Sequence, residues 1–589
     1  VKLWWIFLST PAPYIALGLV IYLIAYLVYS KYIDKGVWNT DPNRPTPAKL
    51  YTDGVEYFPV SKYVLYGYQF KSVAALGPIV GPIVAVFFYG WLPALIWLIV
   101  GNFFIGWVQD YSAMMMSVRN DGRSMGPIAY NLMGERVRKI LLVYIMIYLI
   151  IITAVFAWVI VDIMNRIVGT FIPIIFILFM GALFGQLVFR MKIDILIATI
   201  IAIAVVFLGI VLVGVFPQIQ IPPVNFLDPG LGKTITWPGS WTVLFWLFIL
   251  AIIYYLAAIT PMPRFLLPTI FVGFLPAIIA LILVIIAALF TPLTGITISQ
   301  PAVKNLWITD PNQFQTGPLW PILFVTIACG AISGWHSLVS SGLTSKQLEF
   351  ETDARPVGGG AMITEGIVGL SSVASVIILG TFAATAVTYA QGAGKLTSSL
   401  TGIGLQGMTL FYSVFVVVMG MITSMLFVRV WRNVSAELFE KSILGNKHVA
   451  TIVMLLIMIF LAFTGSWTNL WIYFGGTNQL LAGLALLLVA VYLASVKRPT
   501  IYVFIPGIFM AITTVAALIW ETYVYSYFLI NNKALGPQAN VAKVFGQGVV
   551  QVSNGFSAIL GAVLAVLGAI MTYYLIRGYI KYRKEAVKT

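Results

Sequence analysis

A chain of 589 residues that is 60% hydrophobic and only 9% charged, with a mean hydropathy of +0.98, lies far outside the soluble range and leaves no sizeable soluble domain. A net charge of +15 would suggest nucleic acid in a soluble protein; here the basic residues sit in short loops between apolar runs, where they report orientation, so no nucleic-acid partner is expected. The lone Cys329 permits no intrachain disulfide, two histidines (His336 and His448) give almost no material for a haem or metal site, and no phosphate-loop pattern points to ATP; an enzyme, a respiratory subunit and an ATP-driven pump are disfavoured, and no cofactor or resident metal is expected.

Runs longer than roughly 18 apolar residues predict an all-α polytopic membrane protein with about fifteen spans. They fall near 14–30, 72–88, 91–115, 140–164, 170–189, 193–216, 240–259, 265–291, 318–343, 361–387, 407–428, 449–464, 472–494, 500–526 and 556–576. The N-terminus does not read as a cleavable signal. Residues 31–71 read as a polar linker, since DPNRPTP at 41–47 is too rich in proline for helix.

The second run opens GPIVGP. Pro78 and Pro82 lack an N–H, and Gly77 and Gly81 leave helical geometry cheaply, so 77–82 is expected to unwind and offer its backbone to a ligand. The third run carries Gln109 and Asp110. A carboxylate costs about 2.5–3.5 kcal/mol at the bilayer centre, so Asp110 should face a partner or a cavity unless it snorkels to the near interface. Arg119, Asp121 and Arg123 follow in a short loop and read as ion pairs of an inner gate or as an orientation signal.

The ninth run, 318–343, holds Gly330, Ser333, Gly334, His336 and Ser340, a concentration of small and polar residues that predicts a helix weakened in mid-membrane, with His336 a candidate proton carrier. A charged, glycine-rich loop with Asp353 and Arg355 comes next, and Glu365 opens the following run, expected to pair with Arg355 or to cap the helix. A Ser333–His336 hydrolase lacks an orienting acid nearby in sequence. Asn478 and Gln479 in GGTNQLLAG either bond across helices or cap an outer end; Asp162 and Glu521 are expected near outer ends, and the basic tail 581–588 to lie on anionic lipid.

Sorting the 34 Lys and Arg residues onto alternating sides of these spans places most of them on one side, which predicts an outside N-terminus and a cytoplasmic C-terminus in the plasma membrane. GPIVGP and GPLWP at 317–321 then open spans of opposite direction. This predicts two inverted five-helix halves at 72–216 and 318–494, with 1–71, 217–317 and 495–589 peripheral.

The chain resembles the carbon-starvation protein A family, from about 41 to 369 and again at 475–493. The carrying segments are DPNRPTP, DGVEYFPVSKYVLYGYQF, GPIVGPIVA, VQDYSAMMMSVRNDGRSMG, TIACGAISGWHSLVSSGLTSK, ETDAR and FGGTNQLLAG. The resemblance implies a cation-coupled carrier for peptides or pyruvate, induced when carbon is scarce, and a five-plus-five inverted repeat. Two departures stand out: where the family carries paired histidines before the GP motif this chain has Gln69 and Lys71, and where it carries Asp-Ala-Gly-Thr-Arg this chain reads MLFVRVWR at 425–432, keeping only Arg429. A family-typical first span is also not evident. The expected function is secondary import of a peptide or small carboxylate such as pyruvate, with H⁺ or Na⁺ as coupling ion. In that reading Gly77, Pro78, Gly81, Pro82, Gln109, Asp110, Gly330, Ser333, Gly334, His336 and Ser340 line the site, and Arg119, Asp121, Asp353, Arg355 and Glu365 form the gate. A passive pore and a non-transporting nutrient sensor are the alternatives.

Overall fold

The structure is a computed structural model that describes residues 7–588 apart from residues 168, 217–239, 314–315 and 535. Among the described residues there is no strand, only the isolated bridges Val60 to Leu348 and Trp307 to Pro318. Hydrocarbon offers backbone groups no water, so long runs of Leu, Ile, Val and Phe close their own i→i−4 bonds.

In chain order the helices are α1 (Ala12–Trp38), α2 (Lys62–Val73), α3 (Gly77–Tyr89), α4 (Trp91–Val118), α5 (Glu135–Arg166), α6 (Phe171–Val188), α7 (Ile195–Val215), α8 (Trp241–Ile259) and α9 (Leu266–Leu289). After a long connection follow α10 (Gly334–Gly342), α11 (Glu351–Ile377), α12 (Ala386–Thr401), α13 (Leu405–Leu438), α14 (Lys447–Phe463), α15 (Trp467–Ser495), α16 (Ile501–Ile530) and α17 (Gln547–Glu585). Twelve of these are long and apolar enough to cross a membrane, and α2 with α3, bent by 44°, makes up to thirteen. Of the other expected spans, 449–464 appears as the 17-residue α14, and 318–343 is not one helix. The expected run 361–387 stops at Ile377, and α12 is a separate helix. The linker is shorter than expected because α1 continues to Trp38 and α2 begins at Lys62. Residues 217–239, the first part of the peripheral stretch 217–317, lie outside the described residues.

Burial sorts the helices into centre and rim. The most apolar windows of α13 and α15 are 100% buried, whereas that of α7 is 22% buried. Helix α7 shows why: Ala198, Ala202, Val206, Gly209 and Val213 recur at helical spacing and face inward, while Leu196, Ile200, Leu208 and Val211 point away from the protein. Small residues inside and large aliphatics outside is the pattern of a lipid-facing helix, the reverse of a soluble one. The molecule is a multi-pass membrane protein.

Candidate functional site

Two interruptions meet at the centre of the bundle. The first separates α2 from α3 at residues 74–76. GPIVGP itself is helical, which corrects the expectation that 77–82 unwinds: Pro78 occupies the first turn of α3, where no N–H is needed, and Pro82 is carried inside the helix. The second interruption follows a helical turn ending at Thr326 and runs from 327 to 333 before α10 starts at Gly334. Gly330 and Ser333 therefore lie in the break, while Gly334, His336 and Ser340 are helical.

The broken segment lies directly on α3 and α15. A Cβ on Gly77 would come 2.2 Å from Cys329 Sγ, one on Gly81 2.7 Å from the Thr326 carbonyl oxygen, and one on Gly475 of α15 2.2 Å from that of Val325. Gly475→Ala should therefore cost about 1–3 kcal/mol through overpacking against backbone. Its thermal unfolding midpoint in detergent should fall; an unchanged midpoint would contradict this packing.

Leaving helical geometry frees carbonyls, and side chains from neighbouring helices meet them. Asn102 Nδ2 donates to Gly330 O (3.0 Å) and Met362 O (2.9 Å), Gln109 Nε2 to Ser333 O (2.8 Å), and Gln479 Nε2 to Ile327 O (3.2 Å). Gln109 also donates to Ser337 Oγ. Asn478 Oδ1 accepts from Trp335 N at the start of α10 (3.1 Å) and from Tyr148 OH (2.9 Å), and its Nδ2 donates to Ser333 Oγ (3.0 Å). Asn478 and Gln479 thus bond across helices: α15 begins at Trp467, which puts them well inside it rather than at its end.

Against this break sits a buried ionisable cluster. His336 Nδ1 on α10 is 2.9 Å from Asp110 Oδ2 on α4, and its Nε2 is 2.9 Å from Glu365 Oε2 on α11, the second contact not aligned as a hydrogen bond. All three residues are 0% exposed. Asp110 faces a partner and does not snorkel; Glu365 neither caps its helix nor pairs with Arg355, which corrects the expectation for Glu365. Among the described residues Asp110 Oδ1, Glu365 Oε1 and Gln109 Oε1 have no hydrogen-bond partner. Two carboxylates around one imidazole in hydrocarbon can be neutral overall in more than one arrangement of protons, which is the chemistry of a proton-holding site. Ser340 lies apart from this cluster, accepting from Gln69 Nε2 at 2.9 Å. Lys71 is fully buried and donates to Met419 O at 3.3 Å, and Arg429 donates to Thr260 O (2.8 Å) just past α8.

At one end of the bundle the polar contacts converge on Glu351, a residue not among those expected to form the gate. It is 0% exposed and takes Arg119 Nε at 2.7 Å, Arg44 Nη1 at 3.3 Å and the Asp41 backbone N–H at 2.9 Å. Arg119 also donates to Trp38 O at 2.8 Å. Asp121 is exposed, 3.5 Å from Arg123 and bonded by Tyr51. Arg355 donates to Tyr26 O and Ser30 Oγ (both 3.3 Å) instead of meeting Asp353, which makes no ion pair among the described residues. At the other end a cavity of about 280 Å³ is lined by Trp158, Trp467, Trp471, Asp162, Arg166 and Val80 of α3, among others; Asp162 pairs with Arg166 at 2.8 Å.

Comparison with known proteins gives the following likenesses. The family described as carbon starvation protein CstA matches residues 12–404 and 382–517. The pyruvate/proton symporter BtsT of Escherichia coli (strain K12) is 34% identical over 370 residues, which are 61% of this chain and 48% of that protein. The peptide transporter CstA of the same strain is 31% identical over 359 residues, 61% of this chain and 49% of that protein. This chain thus spans about half the length of these two relatives. The peptide transporter CstA of Bacillus subtilis (strain 168) is 26% identical over 603 residues, 92% of this chain and 94% of that protein. These relatives are named as transporters, not enzymes. A solved manganese transporter of Eremococcus coleocola overlaps 90% of this chain and 99% of its own at 14% identity, with a TM-score of 0.42.

Proposed function

Since the chain belongs to the carbon starvation protein CstA family, we propose that it is a secondary transporter that imports a peptide or a small carboxylate such as pyruvate by alternating access, coupled to protons. The observation that carries this reading is the Asp110–His336–Glu365 cluster, buried where a broken span packs on α3. A proton on the cluster changes its net charge, and in hydrocarbon that change is costly unless an anion arrives or leaves with it. The N-terminal ends of α3 and α10 both lie at the interruptions, and such ends carry positive partial charge that suits a carboxylate. The printed activities of the relatives, peptide transport and pyruvate/proton symport, supply the substrate classes.

In this reading the interruptions at 74–76 and 327–333 are equivalent points of two inverted five-helix halves. The basic end with Arg119 and Glu351 is cytoplasmic, the N-terminus is outside the plasma membrane, and the cavity beside Trp471 is the outer vestibule. Uptake of labelled dipeptides and pyruvate into proteoliposomes under imposed H⁺ or Na⁺ gradients tests it. Saturable accumulation that follows the proton gradient is expected. Conductance without saturation would mark a pore, and binding without accumulation a sensor; either result, or no uptake, overturns the proposal.

A further inference from the structure

Glu521 was expected near an outer helix end. It instead lies well inside α16 and is 1% exposed. Among the described residues neither carboxylate oxygen has a hydrogen-bond partner, and no Lys, Arg or His nitrogen comes within 4.0 Å of it. A buried carboxylate without a counter-charge is expensive, so it either holds a proton or awaits a cation.

Its surroundings favour the cation. Glu521 lines a cavity of about 30 Å³ with Gly77, Gly81, Thr326, Ala328 and Gly475, room for a guest of about the size of one water. The carbonyl oxygens of Val325 and Thr326 lie against Gly475 and Gly81 on the cavity wall. Because the chain leaves helical geometry just beyond Thr326, no backbone N–H one turn later donates to either carbonyl. Carbonyls freed at a broken helix and one carboxylate lining the same cavity supply a hard-oxygen donor set of single negative charge. Trp471 lies between this cavity and the larger one beside Trp158, bordering both, and the small volume admits an ion but not a peptide.

We propose that this cavity is a binding site for a monovalent cation of sodium's size, held by the Glu521 carboxylate and the carbonyl oxygens of the broken segment. The site is separate from the His336 cluster and does not depend on the transport reading, because binding is measured without cargo. The test is radiolabelled sodium binding, with thermal unfolding in sodium chloride against choline chloride at equal ionic strength, on the full chain in nanodiscs. Saturable binding of about one sodium per chain, with a sodium-specific rise in unfolding midpoint, is expected. Glu521→Gln should lose both, and Glu521→Asp, which keeps the charge but withdraws it, should bind several-fold more weakly. A wild-type protein with no sodium-specific response, a response to a dipeptide but not to sodium, or full sodium binding by Glu521→Gln would overturn the assignment.

Discussion

Glu365→Gln is expected to lose proton-gradient-driven accumulation while still exchanging substrate across the membrane at equal pH on both sides. The substitution keeps the shape of the side chain and removes its ability to carry a proton. What is lost is the charge-assisted contact to His336 Nε2, 2.9 Å away in the wild type. With no carboxylate there to take up a proton, accumulation should fall to the level seen without an imposed gradient. Exchange needs only that cargo-bound sites reorient, and it should survive. His336→Ala should behave differently: it strands two buried carboxylates without their shared cation, and breaking a buried pair in this way costs about 3–5 kcal/mol, so lower yield and unfolding midpoint should accompany lost transport. Parallel uptake and exchange assays separate the outcomes. Equal loss of both activities in Glu365→Gln would show that Glu365 is structural and does not couple.

The second large effect is expected at Glu351. Three donors from two segments converge on this carboxylate: Arg119, and Arg44 with the Asp41 N–H. Glu351→Gln should release the turn at Arg119 and shift the protein toward a form open at that end. The bias is bounded by the about 3–5 kcal/mol cost of breaking a buried pair, reduced because Arg119 is partly exposed. Faster efflux of preloaded substrate from proteoliposomes is the readout. Because both side chains act in one network, Arg119→Ala with Glu351→Gln should be little worse than either alone. Additive effects, or unchanged efflux, would remove Glu351 from the gate.

The sequence exposed some of this arrangement, for identifiable reasons. The broken span was legible because Gly330, Ser333 and His336 interrupt an apolar run that gains nothing from them in lipid. The break before α3 falls earlier than the sequence predicts, because proline signals a helix break while Pro78 stands in a first turn where it is tolerated. Depth was the other source of error. Glu365 looked terminal, but helical structure extends back through residues 355–359, setting it about 15 Å inside. Glu521 looked terminal too, but α16 continues to Ile530, about 13 Å further. The pairing of Asp110 with His336 joins residues 226 positions apart, and Arg119 with Glu351 232 apart; no local pattern encodes such contacts. The charged loops did announce themselves, yet their partners followed from folding: Arg119 reached past its neighbour Asp121 to the more buried Glu351.

The chain's lone cysteine lies in the broken segment, with its Sγ beside Asn478 Nδ2 at 3.2 Å and next to Gly77. It is buried, so it reports directly whether water and cargo ever reach the interruption. Proteoliposomes shown to be transporting should be treated with a small membrane-impermeant thiol reagent from each side, with and without saturating substrate, and Cys329 labelling followed by mass spectrometry. Labelling that depends on the imposed gradient and is suppressed by substrate is the expected result. A Cys329 that stays unlabelled from both sides while transport proceeds, or that labels equally with and without substrate, would contradict a cargo site at the broken span.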